Sequence, residues 1–492
     1  MDAPMDDFVE VDAQMVATQE ARVEAALSLS AEAERALVAK SARKVTVGAT
    51  ITARACGEEV ERRPDVDIAV VLDRSGSMAG NKLKLCKETL NLLINELRAS
   101  DSFGLVTFDH NVQVNSKLAV VGNSKEGATT AVERLRSGGT TNLSGGLLAG
   151  LELFGNSAAA ATTGGGDRVR AVLLLTDGHA NAGITDVDRL QAVTRAALPD
   201  GVQLYTFGYG SDHNADLLRK LASCAGDGRG GYYFVDSTDR VVGAFADCLG
   251  GLLSVVAQNV RLVVRSTNCV ITRVRRDGAE RLAPDRWTLS LGDVFAEERR
   301  DVLVDIEPLS EADPEIFFEM TFVDALAATM ATASSTVNIK RLDDKDPALE
   351  SVMPSANIAT NIARLDVADA MVAAQTDADK GNLGAARGAL EEAKKGVRSA
   401  MTIAGDDLLL RRLEYDLDEC VANTSSAQTY QALGRQQMAS KGMGHRMQRC
   451  MSDSDSDGEE DIKEEAPRAR NAYRGASKKA VKSKWTFGAT KK

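Results

Sequence analysis

The sequence predicts a doubly wound α/β domain set inside an antiparallel β-sandwich, followed by a small α-helical domain and a low-complexity tail. Three observations predict this. Residues 66–235 alternate short, continuous apolar runs with amphipathic helical patterns, as strands covered on both faces and their crossover helices do. Residues 259–342 then read as successive strands separated by turns, without helices between them. From 346 to 440 the apolar period becomes helical.

The 492 residues call for more than one domain. Residues 1–42 are acidic and Ala-rich and are expected to form a partly helical arm. The opening "MDAPMDDFVEVDAQ" has no apolar h-region, so no secretory signal is expected there. In "KVTVGATITAR" (44–54), Val45, Val47, Ala49, Ile51 and Ala53 alternate on one face, the period of a half-buried strand. It has no partner before the α/β domain. Segment 43–64 is therefore assigned to the sandwich, with its other strands at 255–343, and the α/β domain (65–254) becomes an insertion.

Within that insertion the apolar runs are "VDIAVVL" (66–72), "FGLVTF" (103–108), "VRAVLLL" (169–175), "VQLYTFG" (202–208) and "YYFV" (232–235). Leu83, Cys86, Leu90, Leu93, Ile94 and Leu97 share a helical face, with Cys86 as core filler. "DHNVQVNSKLAV" (109–120) is expected to add a short antiparallel edge strand. After it, the sandwich strands include "NVRLVVRS", "CVITRVRR", "WTLSLGDV", "DVLVDIEP", "EIFFEMTFVD" and "STVNIKRL". The helical domain (344–445) shows two stripes. One carries Ile358, Ile362, Leu365 and Val372; the other carries Leu383, Ala386, Leu390, Ala393 and Val397. The tail (446–492) runs from "SDSDSDGEED" to a Lys/Arg-rich end, a composition that buries too little apolar surface to order itself.

Composition excludes several functions. Asp+Glu number 71 against Lys+Arg 59, a formal net charge of −12, which argues against nucleic-acid binding by the whole chain. The basic tail end (Lys478, Lys479, Lys482, Lys484) is the exception, as a nuclear signal, an anion-binding segment or a solubilising tail. Ser452, Ser454 and Ser456 lie among acids that suit an acidophilic kinase. No apolar run approaches the roughly 20 residues of a membrane span. The seven cysteines are scattered and never form C-x-x-C, so neither a disulfide framework nor a zinc site is expected. The location implied is cytoplasmic or nuclear.

The chemistry concentrates at strand ends, where open α/β sheets bind ligands. "VVLDRSGSMAG" (70–80) ends an apolar strand in Asp73, Ser75 and Ser77. "SGGTTNLSGGL" (137–147) offers Thr140 and Thr141, and "LLLTDGHANAG" (173–183) puts Asp177 after the longest apolar run. Brought together, Asp73, Ser75, Ser77, Thr141 and Asp177 form a set of hard oxygen donors that suits Mg²⁺ or Mn²⁺. A coordination position left open on such an ion would attract an outside carboxylate.

D-x-S-x-S, a distant Thr in a Gly-rich loop and a later T-D-G resemble the metal-ion-dependent adhesion site of von Willebrand factor A domains. The resemblance covers about 66–253. It implies that Ser75, Ser77 and Thr141 ligate the metal, with Asp73 and Asp177 ligating directly or through water. Thr141 is chosen over Thr140 for its spacing before Gly146–Leu147. The preceding strand, the following β domain, "ADKGNLGAARGALEEA" and "MGHRMQR" further resemble intracellular Vwaint-type proteins, including the body of the plant WAVY GROWTH ubiquitin ligases. The RING cluster of those ligases has no counterpart in this sequence. The β-then-α/β order also resembles the inter-alpha-trypsin inhibitor heavy chains.

Other chemistries fit less well. A serine hydrolase wants G-x-S-x-G, which "RSGSMAG" lacks. His179 reads as a rim histidine rather than a base. An aspartyl-phosphate phosphatase wants a second Asp at position 75. "GDGRGG" (226–231) precedes a strand and reads as a turn, and no Walker A motif occurs. The basic run "RVRRDGAER" (273–281) is expected as a solvated sandwich edge. The function expected is metal-dependent protein–protein interaction without enzymatic activity, through an acidic residue of a partner. The alternatives are a non-catalytic subunit of a ubiquitin-ligase or other regulatory assembly, and a metal-dependent hydrolase.

Overall fold

The computed structural model describes residues 25–448, apart from 56–62, 123–124, 156–167, 178, 211–212, 227–229, 236–237 and 310. The acidic and basic tail segments, Cys56 and Cys450 lie outside the described residues.

The α/β domain is built on a six-stranded sheet. Its strands are β4 (Val66–Asp73), β5 (Ser102–Phe108), β6 (Val112–Val120), β7 (Val169–Thr176), β8 (Val202–Tyr209) and β9 (Gly230–Val235), in the order β6-β5-β4-β7-β8-β9. All neighbours are parallel except the edge pair β5–β6. Strands β5 and β7 flank β4 on opposite sides, so the chain reverses its direction of travel across the sheet at β4. The crevice of a doubly wound fold opens at that point. Within β4, Ile68, Val70 and Leu72 belong to the core on one face, and Ala69 and Val71 to the core on the other. This is why the run is continuously apolar rather than alternating. The flanking helices include α1 (Asn81–Glu96), α2 (Glu126–Glu133), α3 (Leu143–Gly155), α4 (Val187–Ala197), α5 (Ala215–Ala222) and α6 (Thr238–Leu252). Gly146 and Gly150 of α3 meet Phe108 and Val71 so closely that an added Cβ would lie 2.3 and 2.2 Å from them. Larger residues there would push α3 off the sheet.

The sandwich has two antiparallel sheets. One holds β1 (Leu27–Ala33), β3 (Val45–Ala53), β14 (Arg299–Pro308) and β11 (Cys269–Val274), in the order β1-β3-β14-β11. The other holds β12 (Glu280–Ala283), β13 (Arg286–Phe295), β10 (Val255–Thr267), β15 (Glu315–Asp324) and β16 (Thr329–Asn338). A short parallel pair joins β2 (Leu37–Ala39) to β17 (Lys340–Leu342).

Four expectations need correction. The arm expected to be partly helical is strand over its described part, because Leu27, Leu29, Ala31 and Ala33 alternate and pair with β3. Strand β3 is buried on both faces, not one. Leu303 and Ile358 lie against Gly48, and Thr50 is covered beside Asn357. The basic run 273–281 is only partly solvated: Arg275 makes a bidentate ion pair with buried Asp305. The fourth concerns the boundary at 445, since the last helix continues to Met447 and the Gln448 side chain bonds both the N–H and C=O of Asp301.

The helical region comprises α7 (Ala356–Asp379), α8 (Leu383–Ala404), α9 (Leu408–Asn423) and α10 (Arg435–Met447). On α8, Ala386, Leu390 and Val397 are buried, with Leu383 and Ala393 packed beside them. On α7 the buried stripe is Ile358, Ala363, Val367, Met371 and Ala374 rather than the stripe expected; Ile362, Leu365 and Val372 are half-buried. Several neighbours cover α7 at once, so even Arg364 and Gln375 are enclosed. Helix α10 is clamped to the α/β domain: Arg435 pairs with Asp216 of α5 and Asp379 of α7, and Ala439 enters the α/β core. No helix among the described residues is long and apolar enough to cross a membrane.

Candidate functional site

Asp73 is the last residue of β4, and Asp177 follows the last residue of β7. The two central strands are register neighbours, so their carboxyl ends deliver both carboxylates to one side of the switch point. Both side chains are fully buried.

Backbone bonds lock the surrounding loops. Ser75 N–H donates to Asp73 Oδ1 at 2.8 Å, turning the chain back on the strand end. Gly76 N–H donates to Gly139 C=O (3.1 Å) and Gly138 N–H to Arg74 C=O (2.8 Å), which ties the "DRSGS" turn to the Gly-rich loop. That loop is tied to the third segment: Thr141 N–H donates to Asn181 Oδ1 (2.7 Å), and the Asn181 and Ala182 N–H groups donate to Thr141 C=O. Ser75 and Ser77 hydroxyls are 3.1 Å apart. Ser75 and Thr141 are buried, Ser77 is exposed at the mouth, and Thr140 is exposed beside buried Thr141. The five residues therefore lie on three adjoining loops.

The electrostatics are one-sided. Burial pushes the Asp73 carboxyl up to about 6, with the charge of Asp177 adding to the effect; hydrogen bonds from Thr176 and Ser75 oppose it. Thr176 Oγ1 donates to Asp73 Oδ2 at 2.6 Å. Asp177 Oδ1 is buried with no hydrogen-bond donor among the described residues, and its Oδ2 lies 3.3 Å from Lys82 Nζ on α1. An acceptor oxygen left bare in the interior costs free energy unless a cation or donor meets it. Among the described residues no three His, Cys, Asp or Glu side chains gather as a metal cage. The donor set here is instead two carboxylates and three hydroxyls, the hard oxygens that Mg²⁺ and Mn²⁺ accept. The residues present fit such an ion.

Sequence reasoning missed three participants. Thr176, which orients Asp73, sits beside Asp177 in the quoted segment but points its hydroxyl across to the next strand. Lys82 lies on the first turn of α1, and its pairing with Asp177 spans 95 residues. Asn181 supports Thr141. His179, expected as a rim histidine rather than a base, is exposed. Cys86 is buried beneath the site, and burial pushes its thiol up to about 12, so it is inert core.

Residues 67–246 match the model of the von Willebrand factor type A domain. The chain is 30% identical over 223 residues to the uncharacterized protein YfbK of Escherichia coli strain K12, covering 45% of this chain and 37% of the relative. It is 30% identical over 166 residues to the inter-alpha-trypsin inhibitor heavy chain H2 of Sus scrofa, covering 33% of this chain and 17% of the relative. The chain thus spans well under half the length of either. Among solved structures, a von Willebrand factor type A protein from Catenulispora acidiphila superposes with a TM-score of 0.64 at 17% identity, over 85% of this chain and 97% of that one. The ArnB paralog VWA2 from Sulfolobus acidocaldarius superposes with a TM-score of 0.58 at 16% identity, over 87% and 100%. These likenesses extend the shared fold beyond the α/β domain. The chain carries a von Willebrand factor type A domain. Such domains typically mediate protein–protein interaction and often bind a divalent metal at the adhesion site.

Proposed function

We propose that this protein is a non-enzymatic interaction module whose strand-end cluster takes Mg²⁺ or Mn²⁺ and binds an Asp or Glu side chain of a partner protein. The observation that carries this reading is the bare, buried Asp177 Oδ1 beside a second buried carboxylate, Asp73. Ser75, Ser77, Thr141, Asp73 and Asp177 would hold the ion. When bound, it supplies a Lewis-acidic position open to an external carboxylate. The chain's own part is to fix the donors: the Ser75 N–H and Thr176 hydroxyl orient Asp73, and Asn181 holds the Thr141 loop. Exposed Ser77 marks the side from which a partner would approach. The cluster consists of carboxylates and hydroxyls with a solvent-exposed histidine on its rim, which favours binding over catalysis.

Thermal melts of the full chain with Mg²⁺ or Mn²⁺, and with EDTA, test the reading. A ligand present at about 100 times its Kd stabilises by about 2.7 kcal/mol. That rise is expected for the natural chain and is expected to vanish in Asp73→Ala. No metal-dependent rise in the natural chain, or an equal rise in Asp73→Ala, would sink the proposal.

A further inference from the structure

A second site lies away from the strand-end cluster, where α7 and the start of α9 meet the β13–β14 turn. It is a cleft of about 540 Å³. Thr360, Asn361 and Arg364 line it from successive turns of α7 and are all more than nine-tenths buried. Each carries a side-chain atom with no hydrogen-bond partner among the described residues: Thr360 Oγ1, Asn361 Oδ1, and both Nε and Nη2 of Arg364. Arg364 makes no ion pair there either. Its neighbour in the cleft, Arg299, is engaged by Asn357 and Asp301. The Asn361 amide donates to Asn357, so its bare atom is an acceptor.

The geometry points to a binding site for a small zwitterion of the α-amino-acid class. Nε and Nη2 form one edge of the guanidinium, the edge that grips a carboxylate through two parallel hydrogen bonds. Four buried polar atoms that have no partner among the described residues, all on side chains lining one cleft, are expensive as a resting arrangement, and a ligand that meets them recovers that cost. The remaining lining is acidic. With Glu298 paired to Arg300 and Asp301 to Arg299, the lining still sets Glu297 and Asp407 against Arg364, so a simple anion would be repelled by the excess of negative charge. A carboxylate on Arg364 with an ammonium turned toward Asn361 and the acids satisfies both halves. Leu408 and Leu409 supply the apolar wall for a side chain.

Calorimetric titration of the full chain in EDTA separates this site from any metal response. The probes are the individual α-amino acids, sodium acetate, inorganic phosphate and an amino-acid amide. At least one amino acid is expected to bind at least tenfold more tightly than acetate, phosphate or the amide. Arg364→Lys, which keeps the charge and loses the fork, should weaken that binding at least tenfold. Thr360→Val, an isosteric change, should weaken it several-fold and covers the case in which the Arg364 variant misfolds. Absence of binding by every amino acid, or binding that neither variant alters, would refute the site. Acetate or phosphate binding as tightly would make it a plain anion site.

Discussion

Two buried aspartates in this molecule have opposite protonation preferences. Asp73, at the end of β4, and Asp416, on α9, are both essentially removed from solvent. Burial alone raises any carboxyl, and at Asp73 it wins. Burial also acts on Asp416, but Arg412, Lys441 and His445 outweigh it and hold that carboxyl well below 3.8. Arg412 Nε and His445 Nε2 approach one Asp416 oxygen at 2.9 Å each, and Lys441 Nζ approaches the other at 2.7 Å. The helical region supplies its own cations and uses the aspartate as a rivet between α9 and α10. The strand-end site sets two carboxylates against the half-buried Lys82, so part of its charge is left for something outside the chain to balance. The same residue type at the same depth is structural in one place and receptive in the other, because of what surrounds it.

The sharpest way to break the comparison is to remove the rivet. Asp416→Asn takes from buried Arg412 and Lys441 the carboxylate they share, although Lys441 keeps Glu419, and losing one partner of a buried pair costs about 3–5 kcal/mol. A urea melt should show that loss equally with Mg²⁺ and with EDTA. The pH profile has a definite sign. A carboxyl held below 3.8 contributes stability above 3.8 and loses it as the pH falls through the folded value. The natural chain should therefore weaken steeply below about pH 4, and the variant less steeply. An unchanged acid limb would mean that the cluster carries no net stabilising charge.

Asp73→Asn is the converse test. Neutralising a buried carboxylate that lacks a counter-ion relieves a desolvation cost, so the variant should be more stable than the natural chain in EDTA by about 1–3 kcal/mol. The order should reverse when Mg²⁺ or Mn²⁺ is added, because only the natural chain gains from the ion. A variant that is less stable under both conditions would show that Asp73 serves the fold like Asp416.

The sequence displays the first of these regions better than the second. Strands covered on both faces must be continuously apolar, so β4, β5, β7, β8 and β9 stand out, and the polar residues that follow them mark the strand ends. Asp73, Ser75, Ser77, Thr141 and Asp177 were legible for that reason. Strand β1 was not, since its Ala and Glu suggest helix and its alternation of Leu and Ala with Ser and Glu is faint. Asp416 and Arg364 were invisible because apolar periodicity ranks a helix face by its hydrophobes. Whether a charged residue is buried depends on which neighbours close over it, and α7 is closed from several sides. Lys82 was missed for a related reason: a lysine on a first helical turn looks solvated until the fold brings it to a carboxylate 95 residues away.

Lys82 gives the smallest and most discriminating effect. Its ammonium lies 3.3 Å from Asp177 Oδ2 and keeps 28% of its side chain exposed, whereas Lys441 at the rivet keeps 3%. A half-exposed ion pair contributes about 1 kcal/mol or less. Lys82→Met should therefore lower stability in EDTA only slightly. A cation that already leans on Asp177 also repels an incoming divalent ion, so the same change should tighten Mn²⁺ binding by a factor of several, up to about tenfold. Calorimetric titration with Mn²⁺ would read this directly. Tighter binding with little loss of stability would identify Lys82 as a weak internal placeholder, unlike Lys441, whose loss should cost stability whatever the metal. Weaker Mn²⁺ binding would mean instead that Lys82 holds Asp177 in place for the ion, and the contrast between the two clusters would then be one of degree.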